Sequence, residues 1–393
     1  MPTLKSGLAI AISFIAAAGA RPAEAQRPCS AAFADSLSIR TLRAFERVAA
    51  VPPVWDDYTL ARHPLLLLAD STFRGRAETP VCAAIWRSGT PLEVVELAAR
   101  PPFSSPIYGM IDSDPAGSGA TEDSRHLFVA RRPAPPAVVA KLRARGITRV
   151  VALNVPMNVG GLGRLGEMLR EANADLALMQ ADLAVHESFH LHSQFPTWLD
   201  QERAYRWPAW DHQPDRAELG ERCYAGSPEL ARALEAERRA LVAAYDAVSA
   251  DSSRRDAALG LHHALRFVEL RRARRALQDT TTVAQGSRRI SCGLGEDIME
   301  LEEGTSWWIG HATTVRAGLT TPAELRGRYA GQNPEVFYQT GALQLWILEG
   351  LLGGDEVRRI TASIARSTGA DGPAGGLFAQ FEDRTRQLAA GCP

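Results

Sequence analysis

Residues 186 to 190 read His-Glu-Ser-Phe-His. On a helix, positions four apart lie one above the other on the same face, so His186 and His190 can grip one ion through their imidazole nitrogens. Glu187 then stands beside that ion, where a carboxylate can take a proton from water. The flanking residues favour a helix: Leu178, Met179, Leu183, Ala184, Phe189 and Leu191 are apolar or good formers, and no Gly or Pro interrupts before Pro196. The bland alternative is a partly buried helix with two incidental histidines.

A catalytic zinc needs a third protein ligand and one open position. The near candidates fail on spacing. His192 is two residues past His190 and points to another face. Ser193 and Pro196 stand where an extended motif would place Gly and His. Trp210 occupies the position of a downstream glutamate, and Asp211, behind Pro208, is an outsider in a loop.

The stretch 296 to 308 reads Glu-Asp-Ile-Met-Glu-Leu-Glu-Glu-Gly-Thr-Ser-Trp-Trp. Here the chain resembles the gluzincins, zinc metallopeptidases whose third ligand often sits in a Glu-Gly step near the start of a later helix. The resemblance points to Glu303, followed by Gly304, with Glu302 as the alternative ligand. Glu300, one turn earlier, is a further alternative or an acceptor for a histidine N–H. A solvated helix start stabilised by the macrodipole accounts for Glu296 and Asp297. The resemblance also implies an edge strand above the metal helix that holds an extended peptide, for which 149–155 is placed, and Tyr338 as a stabiliser of the carbonyl oxygen, with His263 and His311 behind it. For a lone Tyr at a helix start, ordinary packing is the competing role.

The elements that must position these groups follow from periodicity. Residues 30–50 carry apolar side chains at helical spacing. Short extended runs follow at 65–68, 82–86, 92–97 and 126–130, separated by turn-rich segments that include an exposed loop at 112–124. Residues 137–145 read as a helix and 148–155 as a β-branched strand, with Pro156 arguing for a sheet edge. Beyond residue 175 the pattern turns helical, at 177–194, 227–250, 255–279, 296–316, 335–352, 355–366 and 374–389. The expected fold class is therefore α+β and, by the resemblance, zincin-like: a mixed α/β N-terminal lobe over 26–175 and a mainly helical C-terminal lobe over 176–393 that carries the metal helix.

Residues 1–25 read as a signal peptide, with Lys5 as the positive start, an apolar run from Gly7 to Gly19 and Ala23-Glu24-Ala25 at the cleavage site. That implies a secreted or periplasmic chain, with no membrane span after processing. Five cysteines in an oxidising compartment suggest one or two disulfides and at least one thiol left over. The expected pairs are Cys29 with Cys82 and Cys223 with Cys292, although spacing leaves the connectivity open. A formal net charge of -1 gives no electrostatic case for nucleic acid. The arginines of 266–275 (Arg266, Arg271, Arg272, Arg274 and Arg275) read as a solvated helix face, or else as an anchor for a substrate carboxylate or a lock on the acids of the site. Gly161, Gly163 and Gly166 match a dinucleotide fingerprint, but the acid at Asp182 falls inside the metal helix, so a turn is the expected role.

The sequence thus implies an exported zinc hydrolase, foremost a peptidase acting on peptide or protein substrates, with His186, His190 and Glu303 on the metal and Glu187 as general base. The alternatives are an exported non-catalytic zinc-binding or scaffold protein with a degenerate site, and a hydrolase of non-peptide amides or esters.

Overall fold

A computed structural model describes residues 29–55, 58–69, 81–98, 108–112, 136–155, 175–194, 214–224, 226–249, 256–278, 280–286, 288–330, 336–366 and 376–391. The expected leader, the run at 126–130, the loop beyond Asp112, the glycines of 161–166, Asp211 and Cys392 lie outside these residues.

Five strands, β1 (Leu65–Leu68), β2 (Val81–Trp86), β3 (Glu93–Leu97), β4 (Tyr108–Asp112) and β5 (Arg149–Asn154), form a sheet in the order β3-β2-β1-β5-β4. The β1–β5 pair is parallel and the other three are antiparallel. The all-leucine strand β1 is explained by cover on both faces. Leu66 and Leu68 pack with Val138 and Leu142 of helix α2 (Pro136–Arg143). Leu65 and Leu67 join the core shared by α1 (Ser36–Ala49) and α3 (Leu176–Phe189).

One expectation is corrected here. Strand β5 is internal, with β1 on one side and β4 on the other, so its ladder groups are already paired. Pro156 comes after the last strand residue, Asn154, and so never takes a ladder position. The edges of this five-stranded sheet are β3 and β4.

The remainder is mostly helical: α4 (Pro228–Ser249), α5 (Ala257–Ala276), α6 (Cys292–Met299), α7 (Thr305–Arg316), α8 (Pro322–Ala330), α9 (Val336–Leu352), α10 (Gly354–Arg366) and α11 (Gly376–Ala389). A hairpin of β6 (Thr282–Gln285) and β7 (Arg288–Ser291) precedes α6. Strand β4, helix α8 and this hairpin are not among the elements that periodicity predicts. One buried core runs from the inner sheet face through α1 and α3 into α4, α5, α7 and α9. No helix among the described residues is long and apolar enough to cross a membrane. Disulfides join Cys29 to Cys82 and Cys223 to Cys292, the expected pairs, and are compatible with an extracellular protein.

Two helices that meet at the candidate site carry π turns. Helix α3 ends in one, His190–Gln194, and Glu300–Gly304 links α6 to α7. A π turn adds a residue to the helical circuit and so re-aims the side chains that follow. The second π turn touches α9 backbone to backbone. A Cβ on Gly304 would lie 2.6 Å from Gly341 Cα, and one on Gly341 would lie 2.6 Å from the Glu300 carbonyl oxygen. Glycine at both positions is what lets these helices approach so closely.

Candidate metal centre

Helix α3 is capped and pinned before it delivers its histidines. Asp175 accepts from the backbone N–H groups of Ala177 and Leu178 at 3.0 and 3.3 Å. Gln180 accepts from Thr41 Oγ1 at 2.8 Å and donates to the Asn154 carbonyl, tying α3 to α1 and β5. Tyr58 donates to the Val185 carbonyl at 2.8 Å.

His186, Glu187 and His190 are buried, and their potential ligand atoms lie within 4.8 Å of one another: a group that could hold a metal ion. Glu303 closes a tighter figure. Its Oε2 lies 3.4 Å from His186 Nε2 and 3.4 Å from His190 Nε2, and the two Nε2 atoms are 3.1 Å apart. Ligands about 2.0–2.1 Å from a tetrahedral zinc are separated by about 3.3 Å, so the donor triangle fits such an ion. Glu187 Oε1 is 3.9 Å from His186 Nε2, beside the triangle and not part of it.

The electrostatics are those of a pocket short of positive charge. Burial alone would raise the Glu303 carboxyl, but the two imidazoles and Arg216 outweigh it and hold Glu303 well below the ordinary carboxylate range. Burial works against a charged His190, yet Glu303 overrides it and pushes the imidazole up to about 9.

Each expected residue has a definite place. Glu300 is not at the triangle. It faces backwards, accepting from Arg271 Nη1 at 2.7 Å and Gln344 Nε2 at 2.8 Å, and from Thr340. Glu302 is buried, and its carbonyl accepts from Gln194 Nε2 at 3.0 Å. Tyr338 comes to the site, its ring parallel to that of His186 at 6.5 Å and edge-on to that of Trp307 at 5.6 Å. His311 pairs with Asp182 at 3.4 Å and meets the Tyr329 hydroxyl at 2.7 Å, one layer behind. His263 sits on α5 against His262, apart from the cluster. His192 leaves the metal face as expected and stacks on His63 at 4.0 Å.

Two readings of charged stretches are overturned. Arg271 and Arg274 are 1% and 0% exposed, so the segment is no solvated face, although Arg266 and Arg272 are exposed. Glu296 is fully buried and bound to Arg274 at 2.5 Å, and Asp297 pairs with Arg275 at 2.9 Å, so ion pairing and not a solvated helix start accounts for them. Helix α5 faces α6 here, and the Glu296 carboxylate entering the interior needs a cation to follow it.

Two residues at the site were not foreseen. Gln194 binds His190 Nδ1, and its amide donates to the Leu301 and Glu302 carbonyls at 3.1 and 3.0 Å and to Thr305 Oγ1 at 2.8 Å. It fixes the ring so that Nε2 faces the triangle. Arg216, in a short helical turn (Arg216–Glu218), donates to Glu303 Oε1 and to the Tyr338 hydroxyl, both at 2.6 Å. Gln194 had a signal, since it continues the four-residue spacing of 186 and 190. Arg216 had none, because tertiary structure alone brings it in.

No family model, curated protein or solved structure matches this chain. What it does must therefore be read from the site.

Proposed function

We propose that this chain is an exported zinc-dependent hydrolase of the gluzincin kind, acting on peptide bonds. The observation that carries the reading is the triangle of His186 Nε2, His190 Nε2 and Glu303 Oε2, with sides of 3.1, 3.4 and 3.4 Å. Two imidazoles and one carboxylate are a usual catalytic zinc set, and zinc held there would supply a Lewis acid that polarises a carbonyl and acidifies water. Glu187, beside the triangle, receives the proton from the attacking water and passes it to the leaving amine. Tyr338, with Arg216 donating to its oxygen, directs its own proton elsewhere and serves the developing oxyanion. The peptide lies along β4, the edge strand next to β5, in place of β5 itself. On this reading the sheet and the helix of His186 and His190 take a zincin-like arrangement.

A second reading, an exported zinc-binding or scaffold protein without turnover, is favoured by ligand depth: His186, His190 and Glu303 are 7%, 3% and 6% exposed. Elemental analysis of the mature protein comes first. About one zinc per chain, lost in His186→Ala, is expected. A zinc-free, well-folded protein would end the metal reading. Zinc without cleavage of a peptide library would favour the scaffold, and cleavage confined to non-peptide amides or esters would change the substrate class.

A further inference from the structure

The Arg216 guanidinium touches two groups of the candidate centre at once. One nitrogen donates to Glu303 Oε1 and the other to the Tyr338 hydroxyl, while the cation sits 5.4 Å from the Tyr338 ring centroid. Glu303 is thereby divided: Oε1 belongs to Arg216, and Oε2 is the atom 3.4 Å from both imidazoles. A carboxylate held by one oxygen presents the other as a single-atom ligand, which would leave the fourth position of a tetrahedral ion open for water.

The segment carrying Arg216 is fastened from outside the site. Asp215 N–H donates to the Ala284 carbonyl at 2.8 Å, and Ala284 N–H returns a bond to Glu218 Oε2 at 2.7 Å. Glu218 also binds Arg289 of β7 at 2.6 Å. In the π turn that follows, Leu219–Tyr224, Cys223 is bonded to Cys292 at the start of α6, the helix that leads to Glu303. Hairpin and disulfide therefore place a guanidinium, 39% exposed, against a carboxylate that is 8% exposed.

We propose that Arg216 is a positioning residue of the metal centre, holding Glu303 as a one-oxygen ligand and locking it in register with Tyr338. The proposal rests on the zinc reading and adds a residue to it. Partners that orient metal ligands are worth about 10–100-fold in metal affinity.

The test is zinc affinity of the full mature chain, measured by competition with a chromogenic chelator. Four proteins are compared: wild type, Arg216→Gln, Arg216→Lys and Tyr338→Phe. Arg216→Gln is expected to weaken zinc binding by about 10–100-fold. Arg216→Lys should recover most of that loss, because an ammonium still pairs with Glu303, yet turnover should stay low because one point charge cannot also hold Tyr338. Tyr338→Phe should bind zinc like wild type. Thermal melting of the metal-free forms guards against simple unfolding, and a half-exposed arginine should shift it little. Wild-type affinity in Arg216→Gln would overturn the positioning role while leaving the zinc centre standing. A wild-type chain that takes up no zinc would bring down the centre and this role together.

Discussion

Two clusters of buried charge lie on opposite sides of the π turn Glu300–Gly304, and they are built on different terms. Behind it, Glu237 accepts from Arg271 and Arg274 at 2.7 Å each, Arg274 reaches Glu296 at 2.5 Å, and Arg271 reaches Glu300 at 2.7 Å. Those side chains are at most 2% exposed, and each charge has an opposite charge in hydrogen-bond contact. In front, Glu303 faces two imidazoles at 3.4 Å, and the guanidinium it binds belongs to the partly exposed Arg216. A cluster in which every charge is paired can remain buried and is costly to break, whereas one whose nitrogens and oxygens converge without closing has room for a cation. The rear cluster also anchors the turn, so that Glu303 is delivered from a fixed platform.

The two sides should differ most at Glu187. Removing a general base should cost about 10²–10⁴-fold in turnover, so Glu187→Gln should keep its zinc and lose hydrolysis. Equal activity would remove Glu187 from the chemistry. Next comes Glu237→Gln, which strands two buried guanidinium groups. It should lower unfolding free energy by about 3–5 kcal/mol in a urea titration, far more than any change at Arg216. A loss under about 1 kcal/mol would show that the rear cluster is not structural.

Acid probes the rear cluster. Burial would raise Glu296, but Arg274 and Arg275 outweigh it and hold its carboxyl at about 2, against 4.5 for a free glutamate. Because the folded value is depressed, its stabilisation is present above the unfolded value and is lost as pH falls from 4.5 towards about 2. The amount is about 3 kcal/mol, at roughly 1.4 kcal/mol for each pH unit separating the folded and unfolded values. Denaturant midpoints across that window should fall in wild type and much less in Glu296→Gln. The smallest effect belongs to the glycine contact. Gly341→Ala pushes a methyl against the Glu300 carbonyl and should cost about 1–3 kcal/mol while also weakening zinc binding. An unaltered melting curve would mean that the helices part freely there.

Much of this was legible because it rests on local spacing. His186 and His190 share a face by helical geometry and most helices of the second half follow the apolar period, whereas Glu303 was indicated by the resemblance to the gluzincins and not by spacing. Burial was less legible. The arginines of α5 look like a polar face, and only the arrival of Glu237 and Glu296 from other helices turns Arg271 and Arg274 inward. Strand β5 reads as an edge because Pro156 follows it closely, while its outer partner, Tyr-Gly-Met-Ile-Asp, carries a glycine that interrupts the apolar run. Arg216 is invisible for the same kind of reason, since what places it is a hairpin and a disulfide distant in sequence.

The bond between Cys223 and Cys292 carries a practical consequence for anyone preparing this protein. Material made in a reducing cytosol would carry two thiols there, and the Arg216 strap would hang on the hairpin alone. A zinc titration on such a preparation would test a centre whose Arg216 segment has lost one of its two fastenings. Production by export, or oxidation confirmed by thiol counting, belongs ahead of any titration.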